Sequence, residues 1–549
     1  MHLERKEQLN VATRTEYDLC IIGAGASGAG VALDASLRGF RVLLIDRGDF
    51  GGATSSKSTK LIHGGVRYLE QAFMKLDFGQ LKQVYHGLHE RHTLLQLAPH
   101  LTRPIALITP VRRWLAGLYY TIGLRMYGWF ASGKDTLPHS SWLTRKQAIR
   151  HIPGLARWVH SAVMYYDGQL DDARYALSLV LTAVKSGATV INHASLVDFD
   201  HEESGQIQGA TLRDELNSHA LTIKARYFIN CAGPYSDAIR QLANPALEAR
   251  IRPSKGIHVM LDAALLNSQD GLLIPETRDG RVVFALPFAG RTLLGTTDTP
   301  MTDPNQEPAV LQEEVEYLLQ TLNPYLEVPI RPEQVKAGFG GIRPLITTSE
   351  KEGTKSLLRD HEVEYDETSG LISLLGGKWT TYRLMASDTV DRILELEERE
   401  EPCLTSSHPL VGATGWHANY DEDLVRIYGI AKDWAHHLSH HYGTDSPEII
   451  RIYQEHPDHQ EVWHPDFPYR IAEIIYHVHY EMALTIRDVL AQRTRLEIQD
   501  WRAAYQVAPT IGYWLGLLLG WTKEQGDVAV RDYQMHLAEA GEMAGIRVK

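Results

Sequence analysis

Residues Tyr17 to Gly30, YDLCIIGAGASGAG, constrain the fold more than any other stretch, because a buried strand has to pass through a glycine turn directly into a helix. The mostly apolar run from Tyr17 to Ile22 reads as a parallel strand, and Gly23, Gly25 and Gly28 match the G-x-G-x-x-G spacing that opens a helix. The first glycine permits the tight turn, the second lets a pyrophosphate reach the backbone, and the third lets the helix pack closely on its strand. Phosphate then rests on free N–H groups at the helix N-terminus. The helix is expected to end near Arg38, with Gly39 as its stop, and Arg41 to Ile45 reads as the second strand. Asp46 closes that strand 18 residues beyond Gly28, where a carboxylate meets an adenosine ribose 2′-OH. An acid at this point argues against a 2′-phosphate, which would favour a cation.

The next segment, GDFGGATSSKSTKLIHGGVRYLEQ from Gly48 to Gln71, lacks strand or helix periodicity until its end, yet carries too little charge and proline to be disordered. It reads as an ordered loop lining a ligand. In these residues the chain resembles the FAD-dependent glycerol-3-phosphate dehydrogenases. Further matches follow in order: CAGPYSD at Cys231 to Asp237, PSKGIHVML at Pro253 to Leu261, LLGTTDT at Leu293 to Thr299, GGIRPL at Gly340 to Leu345, GGKWTTYR at Gly376 to Arg383, and DVLAQRTRLEI at Asp488 to Ile498. Asp46 departs from the pattern, because members commonly place Glu there; the shorter side chain bears on affinity, not on which cofactor binds.

The resemblance implies an α/β FAD-binding domain, Rossmann-like and of the glutathione-reductase/amino-acid-oxidase type. With it go an α+β substrate domain built on an antiparallel sheet and an α-helical C-terminal cap. Expected boundaries are 1–90, 156–240 and 334–400 for a discontinuous FAD domain, 91–155 and 241–333 for the substrate domain, and 401–549 for the cap. The residues themselves support parts of this division. Thr189 to Ala194 and Tyr227 to Ala232 read as strands, and short runs between Ile251 and Gly295 alternate as an antiparallel sheet does. Pro402 to Gly415 is a linker, and from Asp421 the pattern is helical. At 549 residues the chain exceeds a single core.

Several function classes recede on composition. A formal charge of −13 argues against a general nucleic-acid role. Three scattered cysteines, Cys20, Cys231 and Cys403, make neither a disulfide framework nor a thiolate metal site, which suits a reducing cytoplasm. The first fifteen residues lack an apolar signal region. His436/His440 and His437/His441 are spaced four apart on one helix, but two imidazoles make only half a structural site, so a solvated helix is expected and no metal. Pro104 to Ala131 is the most apolar segment, yet its arginines leave only eleven uncharged residues, Trp114 to Leu124, short of the roughly 20 that span a bilayer. Arginine beside Trp and Tyr there suits an amphipathic helix lying on a membrane surface, and a buried helix is the alternative.

Removing hydride from a secondary alcohol needs a general base near the flavin N5, and a phosphorylated substrate needs fixed cations. His258 in KGIHVML and His63 in KLIHGG are candidates for the base, with His258 favoured and His63 supporting; Arg343 would stabilise the alkoxide. Matching the family's substrate-contacting positions are Arg67, Tyr68, Arg343, Arg359 and Lys378. Thr296, Thr297 and Asp298 are expected to line the same pocket. For the cofactor the candidates are Gly23, Gly25, Gly28 and Asp46, then Thr54, Ser55, Ser56 and Ser58 in the loop. Ala232 and Gly233 follow, and Gly377, Lys378, Thr380 and Thr381 sit at a strand-to-helix turn whose N–H groups face the ring.

The family likeness implies oxidation of glycerol 3-phosphate with electrons passed to quinone, on a homodimer held peripherally at the cytoplasmic face of a membrane. Alternatives are a glycerol-3-phosphate oxidase using oxygen, an amine or amino-acid oxidase on the same fold, and a flavin-binding regulator without turnover.

Overall fold

A computed structural model describes residues 2–64, 78–112, 137–275, 277, 281–347 and 361–549, without the side chains of 78–83. Among the described residues two sheets organise the chain. The first holds five parallel strands in the order Ile372–Gly376, Ala220–Asn230, Glu16–Ile22, Val42–Ile45 and Thr189–Ile191, with His361–Tyr365 antiparallel at one edge. Strand Glu16–Ile22 is central and buried because Leu19, Cys20 and Ile21 are apolar on both faces, as a parallel strand covered by helices requires. Helix Ala26–Leu37 covers it and packs between helices Asp172–Lys185 and Tyr382–Leu396. Its stop falls at Gly39, with φ of 86°.

The second sheet is larger and mostly antiparallel. It includes Ile251–Asp262, Arg291–Gly295, Val283–Phe288, Gly271–Ile274, Thr102–Val111 and Ser161–Leu170, and Val335–Ile346 pairs along Ile251–Asp262 over most of its length. Three expectations change here. Ser161–Leu170 and Val335–Ile346, assigned by pattern to the nucleotide domain, belong to this sheet, where their partners are Thr102–Val111 and Ile251–Asp262. Apolar residues from Pro104 onward do not begin a surface helix. They lie in strand Thr102–Val111, buried from Ile105 to Val111, because a short continuous apolar run suits a buried strand as well as a helix. Residues 113–136, the rest of that candidate helix, lie outside the described residues.

The C-terminal region is helical from Tyr420, as expected, but it is only partly a separate cap. Helices Tyr420–Tyr428, Lys432–Tyr442 and Ser446–Glu455 share a small core of their own around Trp434. Helix Trp501–Leu519 instead buries Ala504, Val507 and Ile511 in one continuous core with Val259 and Leu294 of the second sheet. Helix Lys432–Tyr442 is solvated on one side alone: His436 and His440 are exposed, whereas His437 binds Glu473 at 2.7 Å and His441 binds the Arg493 carbonyl at 2.5 Å. Buried Glu473 draws the His437 ring inward, and the Arg493 carbonyl holds that of His441.

Candidate active site

The glycine turn forms as its spacing requires. Gly23 has φ of 103°, and a Cβ at Gly28 would stand 1.8 Å from the Gly23 carbonyl oxygen. Gly25 has no side chain to cap helix Ala26–Leu37, so the amides of its first turn are met only from outside the helix. Asp46 stands at the end of its strand and accepts from the Ala24 amide at 2.7 Å and the Gly48 amide at 2.9 Å. Burial lifts this carboxyl above the usual range, opposed by those two amides. A cradle closed to any Cβ at a helix N-terminus and a carboxylate fixed at the strand end together fit a dinucleotide.

The loop from Gly48 onward runs between the two sheets, and its side chains are spent mainly on holding it there. Ser55 Oγ accepts from the Ala26 amide at 2.9 Å, and its carbonyl accepts from Trp379 Nε1 at 2.9 Å. Thr54 donates to the Ile342 carbonyl at 2.6 Å, tying the loop to the second sheet. Ser58, expected beside the nucleotide, turns to Asp172 instead, donating through its amide at 2.9 Å and its hydroxyl at 2.7 Å. Ser56 is buried, and its carbonyl accepts from Lys60 Nζ at 2.8 Å and Arg495 at 2.6 Å. His63 reaches the far side of the site, its amide 3.3 Å from Thr380 Oγ1.

Asp172, Lys60 and Arg495 form an ionic hub that sequence reading missed. All three are buried, Lys60 Nζ lies 2.7 and 2.6 Å from the two Asp172 oxygens, and Arg495 lies 3.1 Å from one of them. Burial would raise the Asp172 carboxyl, but Lys60 and Arg495 hold it below its usual range. Burial draws Lys60 down to about 7 against the pull of Asp172. Arg495 lies within the motif DVLAQRTRLEI, and only the fold shows what it touches.

The second sheet carries most of the remaining candidate residues. His258, Gly256 and Ser254 of one strand lie beside Phe339, Gly341 and Arg343 of the next, in register. The His258 ring stacks on Phe339 with centroids 5.0 Å apart at 18°, and its Nε2 is 3.0 Å from Thr59 Oγ1. Gly295 makes room for it, since a Cβ there would stand 2.1 Å from His258 Cδ2. The Arg343 guanidinium lies over Gly256, where a Cβ would come within 2.4 Å of it, and donates to Thr296 Oγ1 and the Thr297 carbonyl, each at 3.1 Å. Asp298 is 3.4 Å from Arg343 and also binds Ser254. The fold thus brings His258, Arg343, Thr296, Thr297 and Asp298 together. Burial, then Lys60 and Arg343, push His258 well below its ordinary pKa, so the ring is neutral.

Lys378 stands after the Gly376–Gly377 turn and before helix Tyr382–Leu396, on the side where strand Ile372–Gly376 meets Val335–Ile346. Ala232 and Gly233 follow strand Ala220–Asn230 beside Gly23, whose Cβ would strike the Cys231 carbonyl at 2.7 Å. Arg67, Tyr68 and Arg359 lie outside the described residues.

Among the described residues one group has metal-ligand types close together, Asp49, His193 and Asp488, with ligand atoms within 4.8 Å of one another. Its oxygens are already engaged. Asp49 pairs with Arg493 and accepts from Asn192 at 3.0 Å, while Asp488 accepts from His193 at 2.9 Å and from the Leu484 amide at 2.8 Å. The cluster reads as an ionic tie between the nucleotide loop and the C-terminal region.

Residues 18–383 match the family model described as FAD dependent oxidoreductase, and residues 403–526 match the C-terminal domain of alpha-glycerophosphate oxidase. A probable mitochondrial glycerol-3-phosphate dehydrogenase of Caenorhabditis elegans is 41% identical over 532 residues, covering 95% of this chain and 73% of that protein. The mitochondrial glycerol-3-phosphate dehydrogenase of Homo sapiens is 38% identical over 526 residues, covering 93% and 72%. Among solved structures, the glycerol-3-phosphate dehydrogenase of Bacillus halodurans complexed with FAD superposes with a TM-score of 0.79 at 27% identity, covering 97% of each chain.

Proposed function

Because this chain belongs to the FAD-dependent oxidoreductase family, among the glycerol-3-phosphate dehydrogenases, we propose that it oxidises sn-glycerol 3-phosphate to dihydroxyacetone phosphate. The observation that carries the reading is the pairing of a neutral, buried His258 with the Arg343 guanidinium on one sheet face, beneath the loop that leads from the dinucleotide turn. Gly23, Gly25, Gly28 and Asp46 would hold FAD, which when bound would supply the hydride acceptor. The protein's part is to bind, orient and move a proton. Arg343 offers a planar fork to a phosphate or to the oxygen that gains charge as the C2–H bond breaks. His258 takes the hydroxyl proton, without which an alcohol is a poor hydride donor. Lys378 and the start of helix Tyr382–Leu396 would supply positive charge toward the ring.

The test is a comparison of substrates with a dye acceptor. Glycerol 3-phosphate should turn over, whereas glycerol and amino acids should not. Equal rates with glycerol would remove the phosphate from the reading.

Electrons then pass to a quinone, and the chain sits on a membrane surface as a homodimer at the cytoplasmic face. Supporting surface contact, Tyr513 and Leu517 are exposed on helix Trp501–Leu519. No described helix is long and apolar enough to cross a membrane. The match of residues 403–526 to an oxidase domain favours a second outcome, reoxidation by oxygen. Oxygen uptake by the enzyme without quinone, set against quinone reduction on vesicles, separates the two.

A further inference from the structure

Resting on the alcohol oxidation above, we propose that Asp298 determines substrate specificity, its Oδ2 accepting a hydrogen bond from the primary hydroxyl at C1 of glycerol 3-phosphate. Strand Ile251–Asp262 places Ser254, Gly256 and His258 on one face of the second sheet, and the Arg343 guanidinium lies over the middle residue of the three. Asp298 stands at the Ser254 end of this row. Its Oδ1 accepts from the Ser254 hydroxyl and lies 3.4 Å from Arg343 Nη1, which sets the carboxylate on the same face as the guanidinium. Ser254 is fully buried, so the carboxylate is anchored from the sheet side. Oδ2 is left over. It has no hydrogen-bond partner among the described residues and is not sealed from solvent, on a side chain 28% exposed beside an Arg343 side chain 30% exposed. The site's other two carboxylates are spent, Asp46 on the Ala24 and Gly48 amides and Asp172 on Ser58, Lys60 and Arg495.

The substrate's own groups decide what Oδ2 can take. Glycerol 3-phosphate offers a phosphate dianion, the C2 hydroxyl that is oxidised, and a C1 hydroxyl that is not. A dianion set against a carboxylate meets like charge and is turned away. The C2 hydroxyl gives its proton to the base, and Arg343 faces its oxygen. A neutral O–H donor is what remains, and a carboxylate oxygen is a strong acceptor for one. The two oxygens of a vicinal diol lie within a few ångströms of each other, the scale of the 3.4 Å between Arg343 Nη1 and Asp298 Oδ1. With the C2 oxygen at Arg343, the C1 hydroxyl therefore reaches Asp298 and the phosphate points away from it. Phosphate, C2 oxygen and C1 hydroxyl then give three points of attachment, enough to fix the handedness at C2.

The test compares glycerol 3-phosphate with 2-hydroxypropyl phosphate, which keeps the phosphate and the C2 hydroxyl but carries a methyl group in place of the C1 carbinol. Both are used as racemates, with a dye acceptor and FAD-loaded wild type, Asp298→Ala and Asp298→Asn. Wild type should favour glycerol 3-phosphate by about 10- to 100-fold in kcat/KM, the range of a hydrogen bond to a charged acceptor. Asp298→Ala should bring the two substrates within about threefold of each other, chiefly because glycerol 3-phosphate is slowed. Asp298→Asn keeps an acceptor without its charge and should retain only part of the preference. If Asp298→Ala fails to hold flavin, the isosteric Asn variant is read alone, and its preference should fall at least about threefold. An unchanged preference in the variant, with both substrates slowed by one factor, would assign Asp298 to holding Arg343 and overturn the specificity role. A wild type that oxidises both phosphates equally well would overturn it too and leave the reaction standing. Wild type oxidising neither would instead be a failure of the underlying reading.

Discussion

Replacing Asp172 by Asn should loosen the whole site, because this one carboxylate holds the loop, a lysine and an arginine in place. It is fully buried and accepts from Ser58 at 2.9 and 2.7 Å, from Lys60 at 2.7 and 2.6 Å, and from Arg495 at 3.1 Å. Removing one partner of a buried ion pair costs about 3–5 kcal/mol, since the charge left behind is uncompensated. Lys60 can relieve part of this by losing its proton, which burial already brings down to about 7. Arg495 cannot, but it keeps the Ser56 and Ala491 carbonyls at 2.6 Å each. The loss should therefore fall near the lower bound, about 3 kcal/mol. At roughly 2–4 °C per kcal/mol for a sizeable domain, flavin release on heating should come about 6–12 °C earlier. Lys60→Met, which leaves Asp172 paired with Arg495, should shift it by less than half as much. An Asp172→Asn holoenzyme releasing flavin within about 1 °C of wild type would refute the hub as the anchor of the loop.

Arg343→Gln should lower kcat/KM for glycerol 3-phosphate about 10- to 100-fold, the value of a charge-assisted hydrogen bond of about 1.5–3 kcal/mol, and an unchanged value would remove it from substrate contact. In the free enzyme, burial together with Lys60 and Arg343 depresses His258, so the acid limb of kcat/KM should lie below the ordinary histidine value of about 6.5. A bound phosphate dianion offsets those cations, so the limb of kcat should lie higher; limbs in the opposite order would contradict it. The His193–Asp488 tie should stabilise the fold over a defined window. Burial works against the His193 charge, but Asp488 and Asp49 hold it up to about 9, and Asp488, despite burial, is held down to about 2 by His193 and Arg493. His193 therefore contributes fully below about 6.5 and loses its share as pH rises through the folded value, whereas Asp488 contributes above about 3.9 and loses its share on acidification. His193→Gln should lower the melting temperature at pH 6 and change it little at pH 10; equal losses at both would deny the charge.

What could be read from the sequence was local. Gly23, Gly25, Gly28 and Asp46 announced their roles through spacing, because a turn, a helix start and a strand end are each defined within a few residues. His258 and Arg343 were legible through motifs rich in glycine, and Gly256 and Gly295 are where those side chains need the space. The Thr59–His258 contact spans 199 positions, and the Asp172 contacts with Lys60 and Arg495 span 112 and 323. No local pattern encodes such pairs, and a lone Lys or Asp looks like surface until its partner is seen. The strand Thr102–Val111 was missed for another reason: its apolar residues carry no period that distinguishes sheet from helix. Ser161–Leu170 went to the wrong domain because strand pairing depends on partners far away in the chain.

On this reading a three-carbon phosphoester gives its C2 hydrogen to FAD bound beside His258 and Arg343. Anaerobic titration of the FAD-loaded protein with glycerol 3-phosphate, following the visible band of oxidised flavin, tests it most directly. The band should bleach in proportion to substrate added, and it should persist in His258→Asn on the same timescale. A flavin that stays oxidised under excess glycerol 3-phosphate, or one that bleaches equally well with glycerol, would contradict the account.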